Sequence, residues 1–359
     1  MGVSVIIAGP SLDSTVNVSG ISSVIRTLIG SVDESDVRYT HFVVGSRDGE
    51  PKRFVWLFRQ FVLPYRAFKE MRKCEADILH LNTPLNLPAM VRDFSILAVA
   101  KLTGRKVLLH LHGGRYLERS PGWSVRRLVR LLFTMADKVI VLSPNEKQLV
   151  TELYGLRDAD YICNAIRVPC DDKADSDNEG SGLSCIFLGR IVESKGIAEI
   201  VETFRQVDDG ISLKIFGAGD MQDYLLSSLS DVLGNRFYYG GVVAGKDKFE
   251  ELKKADVLIL PSRHGEGLPI VLLEAMACEV PIIASGIGSI PWAVRHDVDG
   301  LIIRPYSSSD LLAALRVVRD PDVRSRLRAS AKERYKKYFS PDTQAKEFVA
   351  QYFALTSAS

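Results

Sequence analysis

Short runs of β-branched and aliphatic residues alternate with helical patterns along this chain, and that alternation constrains its fold more than any other feature. Strands are expected at 3–8, 38–45, 77–81, 106–111, 138–142 and 160–163, with helices near 19–30, 89–103, 122–136 and 144–153. An acidic polar stretch follows (171–182, DDKADSDNEGSG), and strand patterns then resume near 184–188, 211–216, 235–239, 256–260 and 281–284. Alternation of this kind implies parallel sheets with helices on both faces. At 359 residues the chain is too long for one small domain and suits two α/β domains. The expected architecture is α/β with two doubly wound domains, 1–168 and 183–338, and a linker at 169–182. The stretch 321–355 has no strand pattern and reads as two helices broken at Ser340–Pro341.

Bulk properties exclude several classes. No run approaches eighteen apolar residues, so no transmembrane helix is expected. The opening MGVSVIIAGPSLDS lacks a basic leader and reads as a first strand. The five cysteines are scattered without a C-x-x-C pair, which fits reduced thiols in a cytoplasmic protein. The net charge of +2 hides an asymmetry: residues 1–165 carry 22 Lys and Arg against 16 Asp and Glu, so the first half is electropositive. That balance suits an anionic acceptor or membrane surface. No nucleic-acid partner is expected.

The chemistry concentrates in ADVLILPSRHGEGLPIVLLEAMAC, residues 255–278. A buried strand runs into a polar loop and then a helix, with Glu266 at the loop end and Glu274 eight residues on. Eight residues are slightly more than two helical turns, so both carboxylates can look along one helix face. Gly267 allows the backbone to come close to a ligand, and the helix N-terminus offers free N–H groups. Such a unit suits a polyhydroxylated, anionic ligand such as a sugar nucleotide. A second motif, Gly189-Arg190-Ile191-Val192-Glu193-Ser194-Lys195-Gly196, follows another strand. Two cations five residues apart at a strand's carboxyl end can clamp a diphosphate. Taken alone, the same string also describes a surface loop with two solvated bases.

The run EGLPIVLLEAMA resembles the donor signature of retaining glycosyltransferases of the GT-B fold, specifically glycosyltransferase family 4, with Leu268–Pro269 where that family usually has an aromatic–Gly pair. The string from Gly189 to Gly196 resembles the G-R-x-x-x-x-K-G element of the same family. The resemblance implies two Rossmann-like domains facing a cleft and a C-terminal helix, about 341–359, that crosses back to the first domain. It further implies that Arg190 and Lys195 take the donor phosphates and that Glu274 binds the ribose. Glu266, with the backbone at Gly267 and Leu268, would hold the transferred sugar. Gly217-Ala218-Gly219 follows a strand and resembles the family's G-x-G turn beside the nucleotide base, although it also reads as a purely structural turn.

In the first domain VLLHLHGG runs into His112-Gly113-Gly114 and resembles the family's H-G position, where the His lies near the donor sugar. His110, His80, His41 and His296 keep a structural reading. His264 is a secondary candidate for a sugar contact. Gly20, in Ser19-Gly20, stands where the family often has a Gly-Gly pair near the donor phosphate. The segment 52–73 carries Phe54, Phe58, Phe61, Tyr65 and Phe68 at helical spacing, with Lys52, Arg59, Arg66 and Lys73 on another face and Pro64 expected to kink or split the helix. With the arginines of 115–130, it describes either an interfacial helix on an anionic membrane or an amphipathic helix packed on a core. Three D-x-D triplets, at Asp158–Asp160, Asp175–Asp177 and Asp297–Asp299, are not placed like metal sites. No metal and no cofactor are expected.

The reading is a cytoplasmic, metal-independent, retaining glycosyltransferase, peripheral at the inner membrane face if the basic segments bind lipid. It would move a sugar from a nucleotide-diphosphate donor to a glycan or lipid-linked acceptor in a setting such as bacterial surface-polysaccharide assembly. The proposed catalytic set is His112, Arg190, Lys195 and Glu266. The rivals are a sugar-nucleotide epimerase of the same architecture and a non-catalytic sugar-nucleotide-binding protein.

Overall fold

The computed structural model describes residues 2–13, 20–45, 54–118, 121–169 and 182–357, with the side chains of 54–61, 115 and 118 outside that description. The chain divides into two compact units, Met1–Ile166 with Ser340–Ser359, and Arg167–Phe339. Most of the expected linker, 170–181, lies outside the described residues.

The first unit runs β1 (Val3–Gly9), α1 (Gly20–Ile29), β2 (Val37–Val43), α2 (Phe54–Lys73), β3 (Ile78–Thr83), α3 (Leu87–Leu102), β4 (Lys106–Leu111), α4 (Arg115–Glu118), α5 (Trp123–Met135), β5 (Lys138–Val141), α6 (Pro144–Tyr154) and β6 (Ala159–Tyr161). Its six strands form one parallel sheet in the order β2-β1-β3-β4-β5-β6. The second unit runs β7 (Leu183–Leu188), α7 (Ile197–Phe204), β8 (Ile211–Phe216), α8 (Gln222–Leu233), β9 (Phe237–Tyr239), α9 (Gly245–Lys253), β10 (Val257–Leu260), α10 (Ile270–Ala277), β11 (Ile282–Ser285), α11 (Ile290–Ala293), β12 (Leu301–Ile303), α12 (Ser308–Val317) and α13 (Pro321–Tyr338). Its sheet is also parallel, in the order β12-β11-β10-β7-β8-β9. The last helix, α14 (Pro341–Ser357), belongs to the first unit.

Both sheets are doubly wound because the first strand of each lies inside it. β1 has β2 on one side and β3 on the other, and β7 has β8 and β10. Strand order reverses there, and crevices for ligands open outside the carboxyl ends of strands at such points. The strands are near-continuous apolar runs, as burial on both faces demands. β1, β10 and β11 are buried at every residue. The expected break at Ser340–Pro341 is present, since α13 stops at Tyr338 and Pro341 opens α14. Helix α14 inserts Phe348 and Tyr352 among Val5, Ile7, Ile78, Leu108 and Ile140, and Gln344 Nε2 donates to the Cys163 carbonyl at 2.8 Å. It thus crosses back to the first unit, as the family resemblance implied.

Two expectations are corrected. Helix α2 is continuous through Pro64, so the proline does not split it. Among its described side chains the stripe facing the core is Leu63, Ala67 and Met71, spaced four apart, and not the aromatic series. Tyr65 is exposed and carries the Lys69 ammonium 4.9 Å from its ring centroid. Phe54, Phe58 and Phe61 have side chains outside the described set. The second half of α2 is therefore an amphipathic helix on a domain core. The second sheet also has a sixth strand, β12, at its edge, where three residues were too short a run to signal one.

Candidate active site

In a parallel sheet every carboxyl end lies on one edge. The loops after β7, β8 and β10 therefore sit side by side in the second unit, since these strands are neighbours. Arg190 follows β7 and is exposed, and no salt bridge holds it among the described residues. The chain then forms a short 3-10 turn, Glu193–Lys195, closed by Gly196 at φ 75°. Only glycine fits there: a Cβ would fall 2.0 Å from the Pro261 carbonyl oxygen. Arg263 N donates to the Ser194 carbonyl at 2.8 Å, so the loop after β7 is fastened to the loop after β10.

That fastening brings Lys195 and Glu266 together. The Lys195 ammonium pairs with Glu266 Oε1, and Ser262 Oγ donates to the same oxygen at 2.6 Å. Glu266 is buried, so this partnership offsets the cost of removing its charge from water. Its backbone is pinned too, because Ser289 N donates to the Gly267 carbonyl at 3.2 Å. Leu268 has a buried side chain, which leaves its backbone as the part that could meet a ligand. His264 is exposed in the same loop.

Glu274 is held differently. Helix α10 begins at Ile270, so Glu266 lies in the loop before it and no helix face relates the two acids. This corrects the expectation drawn from their eight-residue spacing. α10 is apolar nearly all round, with Leu272, Leu273, Ala275 and Met276 buried beside Glu274. The counter-charge comes from Lys248 on α9, whose ammonium pairs with Glu274 Oε1. Each acid of the motif thus has its own lysine.

The structure gives Gly217 and Gly219 a packing role. A Cβ on Gly217 would stand 1.8 Å from the Gly189 carbonyl oxygen, and one on Gly219 would stand 2.2 Å from that of Ile191. Ile191 N donates to the Ala218 carbonyl at 2.9 Å, and Met221 N to the Ile191 carbonyl at 3.0 Å. The turn after β8 is therefore a template for the loop that carries Arg190 and Lys195. Arg263, unremarked in the sequence, acts on the other side. Its guanidinium reaches Glu199 at 2.9 Å and Glu193 at 2.8 Å, bracing both flanks of Lys195.

In the first unit, Gly20 opens α1 in an exposed position, and Ser19 lies outside the described residues. His112 stands just beyond β4, where its N–H donates to the Thr83 carbonyl at 2.9 Å. Its Nε2 lies 2.8 Å from Asn82 Oδ1, and its ring packs 4.1 Å from that of His110, centroid to centroid. His110 Nδ1 lies 3.2 Å from the same Asn82 oxygen and 3.3 Å from His80 Nε2. His80 Nδ1 reaches the Tyr352 hydroxyl at 2.6 Å. Desolvation lowers the pKa of all three histidines, to about 3 for His80, where His112 adds repulsion. They are neutral imidazoles near pH 7. Asn82 was missed, though a signal existed: His80 and Asn82 share one face of β3, and Asn82 pairs in register with His110 on β4, two residues before His112.

Among the described residues no group of three or more His, Cys, Asp or Glu is arranged to hold a metal ion. Asp158 and Asp160 pair with Lys138, Asp297 with Arg326, and Asp299 with Arg295. Asp175 and Asp177 lie outside the described residues. No described helix is long and apolar enough to cross a membrane.

Residues 3–165 match the Glycosyl transferase 4-like domain, and residues 171–334 match Glycosyl transferases group 1. The chain belongs to the group 1 glycosyltransferases, with the GT-B fold. It is 32% identical to an uncharacterized glycosyltransferase of Methanocaldococcus jannaschii over 172 residues, 46% of this chain and 44% of that one. It is 28% identical to the lipopolysaccharide core biosynthesis glycosyltransferase LpsD of Rhizobium meliloti, over 78% of this chain and 76% of that one. The first of these matches thus spans under half of the relative's length. A solved structure of Anabaena HepE in complex with UDP superposes with a TM-score of 0.78 at 16% identity, covering 98% of this chain and 100% of that one.

Proposed function

We propose that this protein is a retaining glycosyltransferase that takes a sugar from a nucleotide-diphosphate donor and passes it to a glycan or lipid-linked acceptor without a metal ion. The observation that carries the reading is the Lys195–Glu266–Ser262 cluster on the carboxyl edge of the second sheet, beside the exposed Arg190. The relative named for lipopolysaccharide core biosynthesis and the fold neighbour holding UDP support this donor and acceptor class.

With no donor, Lys195 and Glu266 neutralise each other. A diphosphate arriving at Arg190 offers Lys195 a stronger, doubly charged partner, and Glu266 is then freed to accept from hydroxyls of the sugar. Glu274, compensated by Lys248, would accept from the ribose hydroxyls. In the reacting complex the bond between the anomeric carbon and the β-phosphate oxygen breaks, and its electron pair leaves with the nucleoside diphosphate. The acceptor oxygen bonds to that carbon on the same face, and its proton passes to the leaving phosphate. The transition state is oxocarbenium-like. Arg190 and Lys195 stabilise the negative charge developing on the leaving group.

Thermal shift against a panel of nucleotide sugars tests the donor, because binding to the folded state alone raises its melting temperature. The nucleotide sugar giving the largest shift is then followed for transfer. Glu266→Ala is expected to abolish transfer while calorimetry still detects the free nucleotide. Loss of nucleotide binding with transfer intact would refute the roles given to this loop. Conversion of the donor with no acceptor present would indicate an epimerase instead.

We also propose an anionic membrane as the surface on which a lipid-linked acceptor is met, through α5 and the basic residues of 52–73. Trp123 is 72% exposed at the start of α5, and the Arg127 guanidinium lies 4.9 Å from its ring centroid. An exposed aromatic beside a cation suits the headgroup region. Co-sedimentation with vesicles containing phosphatidylglycerol, set against neutral vesicles, tests this, and equal binding to both would refute it.

A further inference from the structure

The buried polar chain under β3 and β4 fixes a property of His112 that its position alone does not. Asn82 is buried, and its side-chain Nδ2 donates to the Ala8 carbonyl at 3.2 Å. A carbonyl oxygen only accepts, so the amide nitrogen must face it. Turning the amide over would oppose two acceptors at Ala8 and aim N–H groups at two imidazoles. Asn82 Oδ1 therefore faces His112 Nε2 at 2.8 Å and His110 Nδ1 at 3.2 Å, and it only accepts. Both nitrogens must then carry protons.

A second observation reaches the same assignment independently. His110 Nε2 is buried with no hydrogen-bond partner among the described residues. A buried N–H left unpaired costs more than a buried lone pair, so the His110 proton belongs on Nδ1. From there the directions propagate. His80 Nε2, 3.3 Å away, accepts; His80 Nδ1 donates to the Tyr352 hydroxyl at 2.6 Å; Tyr352 faces the Tyr39 hydroxyl at 3.4 Å. Every hydrogen-bonded group of the chain has one consistent role, and each ring remains neutral.

We propose that Asn82 is a positioning residue of the site: it holds His112 as the Nε2–H tautomer, leaving the Nδ1 lone pair as a hydrogen-bond acceptor for a hydroxyl of the transferred sugar. His112 then serves as a neutral acceptor and not as a proton donor to the leaving group. This rests on the proposed function and on the family resemblance given above, by which His112 lies near the donor sugar. The anchor is the Ala8 carbonyl at the end of β1, and the far end of the chain is Tyr352 on α14.

The test uses the full chain with ¹⁵N-labelled histidine, read by long-range ¹H–¹⁵N correlation at pH 7.5. Wild type is expected to show His112 as the Nε2–H tautomer. Asn82→Ala is expected to move it toward Nδ1–H. Asn82→Asp, which keeps an acceptor and guards against misfolding of the alanine variant, is expected to hold the tautomer and to raise the pH at which His112 protonates. Tyr352→Phe cuts the chain at its far end and is expected to leave His112 unchanged. An Nδ1–H His112 in wild type, or no change in Asn82→Ala, overturns the lock.

The functional arm uses the nucleotide sugar with the largest thermal shift. Asn82→Ala should lower kcat/KM on the order of tenfold. Asn82→Asp should lose activity progressively toward acid pH, as His112 becomes an imidazolium without a lone pair. The titratable groups packed in this chain are His80 on β3, His110 on β4, Tyr39 on β2 and Tyr352 on α14, and burial favours the neutral form of each. Unchanged kcat/KM in a variant with an altered tautomer overturns the positioning role. Absence of any transfer by wild type refutes the proposed function and leaves the tautomer measurement to decide the lock.

Discussion

The two units present the same architectural position, the carboxyl edge of a parallel sheet beside its first strand, and equip it in opposite ways. In the first unit uncharged rings lead to that edge: His80, His110 and His112 pack as tilted rings, desolvated and tied to Asn82 and Tyr352. In the second it carries full charges, Lys195 against Glu266 and Lys248 against Glu274, with Arg263 bracing the loop. Under the proposed function, one topology would serve two kinds of recognition. Fixed neutral donors and acceptors would read hydroxyl direction, whereas exchangeable ion pairs would meet a phosphate by changing partners.

The largest effects should come from the charged edge. Arg190→Ala and Lys195→Ala should each lower transfer about 10²–10³-fold. Arg190 is exposed, so the melting temperature of Arg190→Ala should stay close to wild type, whereas Lys195→Ala leaves the buried Glu266 without its cation and should melt lower while circular dichroism still reports the fold. Turnover like that of wild type in either variant would break the contrast at its centre.

Next in size is a pH response set by the neutral edge. The folded-state pKa values of His80 and His110 lie below their ordinary value near 6.5. As pH falls through 6.5, the unfolded chain takes up protons that the folded chain refuses, so stability drops with falling pH. Two fully buried rings should cost about 2 kcal/mol together between pH 6.5 and 5.5. Urea midpoints at the two pH values measure this, and a flat profile would mean that these rings charge within the fold.

The smallest effect sharpens the charged side. Lys248→Met leaves the buried Glu274 carboxylate without its cation and should destabilise by about 1–2 kcal/mol, held down by the partial exposure of Lys248. Adding Glu274→Gln should restore most of the loss. Additive losses in the double variant would show that the pair is not coupled.

Much of this organisation was legible in the sequence because it is periodic. The strand runs from Val3 to Ser285 are aliphatic where both faces are buried, and the Ser340–Pro341 break announces α14 by local chemistry alone. Spacing fails where partners come from elsewhere in the chain. Nothing near Glu274 points to Lys248, and nothing near His112 points to Ala8, because strand neighbours in a doubly wound sheet are remote in sequence. The aromatic series of 52–73 left the core-facing stripe open for the opposite reason. Helical spacing identifies faces, and the core selected Leu63, Ala67 and Met71 over Tyr65.

Helix α14 carries a consequence for synthesis. The core of the first unit includes Phe348 and Tyr352, yet the whole of the second unit is translated before them. A nascent chain paused at residue 339 would hold the second unit complete while the first, older by some 170 residues, still lacked the helix that covers Ile7, Leu108 and Ile140. The half that begins first therefore finishes last. An exposed apolar face in the unfinished half would make it a target for chaperones until α14 emerges from the ribosome.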